Sequence, residues 1–410
     1  MKLYSLCLLI IMFYNIVSSV LSPNMRRRTD ITLFNVNIIA YFFYLFNNFY
    51  SFFCASRCKH FFAFRSAEKS GRERVSAMLK TNGVKIKGVG RYAPEIVATN
   101  DDYAKIVETN DEWITQRTGI KTRHISNGEP TYYLGAMAAK EAIANAGISA
   151  EEIGLILAST CTPDYYTPST ACLVQRELGV SGCPAIDINC ACSGFVYAVD
   201  MAKRYLAEGD IKYVLVVAAE ELSKFVDYTD RSTCILFGDA AAAVVLEKEE
   251  DTLFASYTAA DGMGAPYLAA RALLTTNPFR QTESEFDMNM PEPNKHFLLQ
   301  DGKEVYKFAT KALPKAVEEA CKKADISPEE LDAIIPHQAN IRIIETAAKH
   351  LKVPMDKMVL NISDYGNTSS ASIPGAFYDG VNSGRIKRGD KVCFVGFGGG
   401  LTYGAVVIEY

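Results

Sequence analysis

The sequence predicts an α/β protein built from two copies of one unit, and three observations carry that prediction. From about Val84, short apolar strands alternate with helical stretches, the pattern of a layered α/β domain. Ala138, Ala142 and Ala146, leading into Ile148-Ser-Ala-Glu-Glu-Ile-Gly-Leu-Ile156, recur as Ala316, Ala320 and Ala324, leading into Ile326-Ser-Pro-Glu-Glu-Leu-Asp-Ala-Ile-Ile335. Each copy reads as a helix, a short Ser/Glu-Glu turn and a buried strand. Two further echoes keep the same order. Glu208-Gly-Asp-Ile-Lys-Tyr-Val-Leu-Val-Val217 matches Arg388-Gly-Asp-Lys-Val-Cys-Phe-Val395, and Gly238-Asp-Ala-Ala-Ala-Ala-Val-Val-Leu246 matches the terminal Gly398-Gly-Gly-Leu-Thr-Tyr-Gly-Ala-Val-Val-Ile408. Echoes in one order imply duplication, over roughly 84–255 and 256–410.

Composition agrees with a globular chain. The 410 residues suffice for two cores, and 49% apolar against 22% charged residues is an ordinary soluble balance. A net charge of -4 carries no nucleic-acid signal. The 11 cysteines are scattered, with no CxxC pair and no zinc-type Cys/His spacing, so neither a disulfide framework nor a metal is expected.

Residues 1–83 read unlike the remainder. Met1-Lys2 is followed by an apolar run, Leu3 to Val20, ending in the small residues Ser18 and Ser19, the layout of a signal peptide; a signal anchor is the competing reading. The stretch after it carries Arg26, Arg27, Arg28, Arg57, Lys59, Arg65 and further basic residues against few acids, as organelle transit peptides do. Together they suggest a two-step address, such as a plastid reached through the secretory route. Ile38 to Phe53 is aromatic and uncharged but short and interrupted by Asn47 and Asn48, a poor spanning helix, so no stable membrane insertion of the mature chain is expected.

In the first unit, an apolar strand (Ala185 to Ile188) runs into a small-residue turn, Asn189-Cys-Ala-Cys192-Ser-Gly194, and then a helix. Cys192 is expected in the first turn of that helix, where unpaired N–H groups and the helix dipole favour a nucleophilic thiolate. A small buried cysteine is the alternative. In the second unit, His337 follows the buried strand Leu331 to Ile335 and is set by Pro336, the position for a base beside a thiol; capping of the next helix is the alternative. If the halves pack about a pseudo-twofold axis, the helix after Gly366-Asn367-Thr-Ser-Ser-Ala-Ser-Ile373 faces the same pocket, and Cys192 and Asn367 become neighbours. Gly396-Phe-Gly-Gly-Gly400 lies between two apolar strands, where a backbone N–H can join that of Cys192 around a thioester oxyanion. A phosphate-binding loop is the rival reading, against which speak the strand that follows in place of a helix and the lack of a Lys-Ser/Thr to complete the pattern. The polar, aperiodic stretch from Ala269 to Lys295 reads as a surface insertion or flap.

Taken in order, the Cys192-Ser-Gly-Phe context, Pro336-His337-Gln-Ala-Asn340, Gly366-Asn367-Thr-Ser and the terminal Gly-Gly-Gly turn resemble the β-ketoacyl-acyl-carrier-protein synthase III family, over Val84 to Tyr410. The resemblance implies a thiolase-like fold, with two βαβαβαββ halves in five αβαβα layers, and a homodimer. It implies that Cys192 takes an acetyl group from acetyl-CoA, and that His337 and Asn367 hold the thioester carbonyl of malonyl-acyl carrier protein as CO₂ leaves. The N–H groups of Cys192 and Gly399 would hold the oxyanion. No permanently bound cofactor is implied; acetyl-CoA is a substrate.

The resemblance extends to CoA. Trp113 and Arg117, in Asn110-Asp-Glu-Trp113-Ile-Thr-Gln-Arg117, match the residues that stack on adenine and contact phosphate, and Arg231 matches the arginine on the other side of the adenine. On the bare sequence Trp113, the sole tryptophan, reads as core. Lys307, Arg342 and Lys349 match family positions of the basic rim for the acidic carrier protein, where His350 replaces a usual lysine. At the acyl pocket Thr167 stands where well-known members have a phenylalanine supplied by the dimer partner, leaving room for a longer primer. Chalcone-synthase-like and hydroxymethylglutaryl-CoA-synthase-like condensing enzymes are the neighbouring alternatives, and a non-catalytic acyl-CoA or carrier-binding protein is the alternative of another class. A papain-like hydrolase also uses Cys, His and Asn, but the duplicated pattern speaks against it.

Overall fold

The computed structural model describes residues 83–270 and 297–410; the expected leader up to residue 82 and the polar stretch from residue 271 lie outside the described residues. The strands are β1 (Gly83–Tyr92), β2 (Ile96–Thr99), β3 (Thr122–Ile125), β4 (Ile153–Ser159), β5 (Ala185–Ile188), β6 (Tyr213–Glu220), β7 (Ala240–Glu249), β8 (Phe254–Ala260), β9 (Leu268–Ala270), β10 (Leu298–Gln300), β11 (Ala333–Pro336), β12 (Lys391–Gly398) and β13 (Thr402–Glu409). One sheet runs β1-β7-β6-β4-β5 and a second runs β11-β12-β13-β8. In the first, β4 is parallel to β5 and β6, while β7 is antiparallel to β6 and β1. In the second, β11 is parallel to β12, and β13 is antiparallel to β12 and β8. The series β4-β6-β7-β1 and β11-β12-β13-β8 therefore repeat one set of directions. The counterpart of β5 shrinks to a single parallel bridge between Ile334 and Met358.

Between the sheets lie two helices, Gly194–Ala207 and Ser372–Asn382. Their Phe195, Val199, Ile373 and Phe377 share one apolar cluster with Leu157 and Val216 of the first sheet and Ile335 and Val406 of the second. Helices Thr131–Ala146 and Thr170–Leu178 cover the outer face of the first sheet, and Gly302–Ala324 and Ile341–Leu351 cover that of the second. This is the five-layer αβαβα order that the resemblance implies. Every residue of β6 is buried, as a strand with helices on both faces requires.

The repeated alanines are the contact faces of the outer helices. A Cβ on Gly90 would lie 2.3 Å from the Ala138 carbonyl, and one on Gly88 2.2 Å from that of Ala142, so strand and helix meet backbone to backbone. Ala316 and Ala320 are fully buried on the second sheet. Ser149 with Glu152 and Ser327 with Glu330 both close capping boxes, which accounts for the repeated Ser/Glu-Glu signature.

Each inner helix is entered through a 3-10 turn, Ala191–Ser193 and Ser369–Ala371. The first residue of each has left-handed backbone, with φ 46° at Ala191 and 49° at Ser369. This corrects one expectation: Cys192 sits in the turn before the helix, which begins at Gly194, and not in its first α-turn. Ala191, at φ 46°, has no α-helical backbone, and Cys192 and Ser193 complete a 3-10 turn before α geometry begins at Gly194.

Candidate active site

A cavity of about 340 Å³ opens beside the two turns, and Cys192, His337 and Asn367 all line it. Each arrives on a different element: Cys192 on the turn after β5, His337 directly after β11, and Asn367 at the mouth of the Ser369 turn. All three are nearly excluded from solvent.

His337 is locked from both sides. Its N–H donates to the Val395 carbonyl at 2.8 Å, and its Nδ1 lies 2.7 Å from Ser372 Oγ. The Gln338 N–H donates to the same Ser372 oxygen at 3.2 Å, while the Gln338 side chain donates to the Pro336 and Val359 carbonyls. With Nδ1 engaged, Nε2 is the ring nitrogen left to face the cavity, where the Phe397 ring packs edge-on at 5.3 Å. Burial depresses the imidazole pKa to about 3. The ring is therefore neutral at physiological pH, and in the tautomer in which the Ser372 hydroxyl donates to Nδ1 its Nε2–H can donate a hydrogen bond to a carbonyl.

Asn367 is held through its backbone and its carboxamide. Its N–H donates to the Leu236 carbonyl at 2.9 Å, and its carbonyl accepts from the Gly238 N–H at 3.0 Å. The Ser369 N–H donates to Asn367 Oδ1 at 2.9 Å. An N–H needs an acceptor, so this bond fixes the carboxamide with its NH₂ as the group offered to the cavity.

Burial pushes the Cys192 thiol up to about 12; contact with the Ser369 hydroxyl lowers it, and the charge of Glu220 raises it further. Desolvation thus opposes the thiolate that the N-terminal position favours, and the Cys192 thiol shares its cavity with a neutral imidazole. A Cβ on Gly398 would fall 2.5 Å from the Cys192 nitrogen, so glycine there leaves space around that N–H. Gly398 lines the cavity; Gly399 follows it, against Ala191 and the Leu268 carbonyl.

Trp113, Arg117 and Arg342 line the same cavity. The Arg117 and Arg231 guanidiniums stand 5.6 and 5.0 Å from the Trp113 ring centroid, both within cation–π range. Arg231 lies outside the lining and donates to the Glu108 carbonyl at 2.9 Å. Asn340 caps the Ile341–Leu351 helix and donates to the Arg117 carbonyl at 3.0 Å, joining the His337 loop to the Trp113 helix. Lys307 and Lys349 are exposed and outside the lining, Lys307 pairing with Glu304 at 3.3 Å. Thr167 is exposed and does not reach the cavity of its own chain; Tyr165 and Tyr166 beside it are exposed as well. Sequence reasoning missed Ser369, Ser372, Glu220 and Cys161. The hydroxyl run Thr368-Ser-Ser-Ala-Ser372 is the signal that could have found the first two.

Comparison with known proteins gives one answer. Residues 186–262 match the family model described as 3-oxoacyl-[acyl-carrier-protein] synthase III, and residues 321–410 match the model of its C-terminal region. A protein of Clostridium novyi named β-ketoacyl-[acyl-carrier-protein] synthase III is 46% identical over 328 residues, covering 80% of this chain and 99% of that protein. The crystal structure of 3-oxoacyl-[acyl-carrier-protein] synthase III from Aquifex aeolicus superposes with a TM-score of 0.73 at 44% identity, covering 80% of this chain and 100% of that one. The priming β-ketosynthase of the R1128 polyketide pathway superposes with a TM-score of 0.72 at 32% identity, covering 80% and 97%.

Proposed function

This chain belongs to the β-ketoacyl-[acyl-carrier-protein] synthase III family, and on that premise we propose that it condenses acetyl-CoA with malonyl-acyl carrier protein to acetoacetyl-acyl carrier protein, CO₂ and CoA, the opening step of fatty-acid synthesis. It is a condensing acyltransferase. The observation that carries the assignment of roles is the meeting of Cys192, His337 and Asn367 in one cavity.

Cys192 Sγ attacks the acetyl thioester carbonyl; the C–S bond to CoA breaks, and CoA leaves with the thiol proton. Malonyl-carrier protein then enters. Its C–CO₂ bond breaks, and the electron pair moves onto the thioester oxygen, held by His337 Nε2–H and the Asn367 NH₂. A neutral imidazole suits this step, since it donates a hydrogen bond without having to lose a proton. The enolate carbon attacks acetyl-Cys192; the tetrahedral oxyanion rests on the N–H groups of Cys192 and Gly399, and its collapse breaks the C–S bond and expels Cys192 as thiolate, which takes a proton from solvent to restore the thiol.

Trp113, Arg117 and Arg231 are the residues for the adenine and phosphates of CoA, Lys307, Arg342 and Lys349 those for the acidic carrier protein, and Thr167 the residue a homodimer partner adds to the acyl pocket. The proposed steps call for no metal. Residues 1–83 read as a signal peptide plus transit-like leader to a plastid of the apicoplast type; support comes from the apolar run Leu3 to Val20 and the basic stretch after it. Purified chain given malonyl-carrier protein should release CO₂ only when an acyl-CoA is present, and absence of turnover with any acyl-CoA would end the proposal.

A further inference from the structure

Glu220 ends β6, is completely buried, and has no Lys or Arg partner among the described residues. Its carboxylate is instead ringed by neutral donors. The Ser369 and Ser370 hydroxyls donate to Oε1 at 3.0 and 2.8 Å. The Thr162 hydroxyl, the Thr160 hydroxyl and the Cys161 N–H donate to Oε2 at 2.7, 3.2 and 3.1 Å, and the Cys161 thiol lies 3.5 Å away. The first group belongs to the second half of the chain and the second group to the loop after β4, so one acid ties the halves together under the cavity floor. Packing alone does not call for an uncompensated buried acid, because apolar residues of like volume fill such sites at no loss.

What this acid holds is the Ser369 turn. Ser369 keeps a left-handed φ of 49°, a conformation that persists only where surrounding contacts determine it. Its N–H fixes the Asn367 carboxamide at 2.9 Å, its hydroxyl lies between Glu220 and the Cys161 thiol, and it lines the cavity with Cys192 and His337. Glu220 is not in the cavity lining, so it acts through Ser369 and does not touch substrate.

We propose that Glu220 is a positioning residue for the condensation: by fixing the Ser369 turn it aims the Asn367 carboxamide at the thioester carbonyl of the malonyl substrate. The inference rests on the role given to Asn367 above.

Glu220→Gln tests it in the full chain. The Cys161 N–H can only donate, so the new side chain must keep its oxygen there and turn its NH₂ toward Ser369 and Ser370, whose hydroxyls then have to reverse. Two half-reactions are followed apart: acetyl transfer from acetyl-CoA to Cys192, by mass, and turnover of malonyl-carrier protein. Condensation should fall about 10²-fold with KM for malonyl-carrier protein within about threefold, while Cys192 acetylation is undiminished. Cys192 alkylation against pH should shift to lower pH, since a negative charge beside the thiol is gone.

Ser369→Ala, which spares the other donors to Glu220, should lower condensation likewise while shifting Cys192 alkylation to higher pH, the opposite of Glu220→Gln, because the hydroxyl that lowers the thiol is gone; its loss of condensation decides the matter if Glu220→Gln does not fold. Adding Glu220→Gln to Asn367→Ala should cost nothing beyond Asn367→Ala alone. Native condensation in Glu220→Gln, equal loss in its two half-reactions, or multiplied losses in the double variant overturns the proposal; where Glu220→Gln does not fold, native condensation in Ser369→Ala does so. Loss in Asn367→Ala with native turnover in Glu220→Gln overturns the Glu220 role alone. Native turnover in Asn367→Ala removes the reading of Asn367 on which it rests.

Discussion

Ala191-Cys192-Ser193-Gly194 and Ser369-Ser370-Ala371-Ser372 trace the same path, a left-handed residue, a 3-10 turn and a helix into the central layer. The second residue of each differs in use. Cys192 lines the cavity, with glycine at 398 leaving its N–H uncrowded. Ser370, at the matching place, is fully buried, and its hydroxyl is committed to Glu220 and the Ser159 carbonyl. Duplication supplied two equivalent turns; one carries the reacting atom, and the other became the scaffold that orients Asn367. The chemistry is thus asymmetric on a symmetric backbone.

That contrast can be broken at graded cost. Replacing the reactive member, Cys192→Ala, should abolish the acetyl adduct and lower condensation by about 10³-fold or more, read by adduct mass and CO₂ release. Altering the scaffold member, Asn367→Ala, should lower condensation by about 10² to 10³-fold while Cys192 still acetylates, a separation that Cys192→Ala cannot give. Ser372→Ala leaves His337 Nδ1 without its hydroxyl and should cost about tenfold in condensation.

The pH behaviour of the two halves also differs in sign. The Cys192 thiol is raised to about 12, so alkylation of the unacylated chain should be slow at neutral pH and rise about tenfold per unit below that value. The His337 imidazole is depressed to about 3 from an ordinary value of 6.5. The stability it contributes is complete above 6.5 and is lost as pH falls from there toward 3, because the unfolded chain takes up the proton first. Denaturant midpoints of the wild type and His337→Gln should therefore converge on acidification. The smallest effect belongs to the backbone: Ala191→Gly relieves a left-handed L-residue and should stabilise the chain by about 0.5–1 kcal/mol by thermal unfolding.

Much of this was legible in the chain. The alanine and Ser/Glu-Glu repeats were read as marks of duplication, and the structure gives their physical reason: small side chains let helix and strand meet closely, and each Ser/Glu pair closes a capping box. Cys192 and His337 stood out because each follows a buried strand, and Asn367 because the repeat sets its turn opposite that of Cys192. Glu220 did not, since an acid at the end of an apolar strand reads like any residue leaving the core for solvent. The state of the Cys192 thiol was also hidden: the helix end is local and visible in sequence, whereas the desolvation that overrides it comes from segments distant in the chain. Arg231 near Trp113 was anticipated only through the family resemblance, because nothing in the spacing of residues 113 and 231 brings them together, whereas Arg117, four residues on in the same helix, is a neighbour by spacing.

The most direct measurement of the central claim is the mass of the Cys192 peptide, taken after acetyl-CoA is added and again after malonyl-carrier protein follows. The account predicts an acetyl adduct on Cys192 in the first sample and its disappearance in the second, matched by an equal amount of CO₂. An adduct on another cysteine, or one on Cys192 that persists while CO₂ is released, would contradict it.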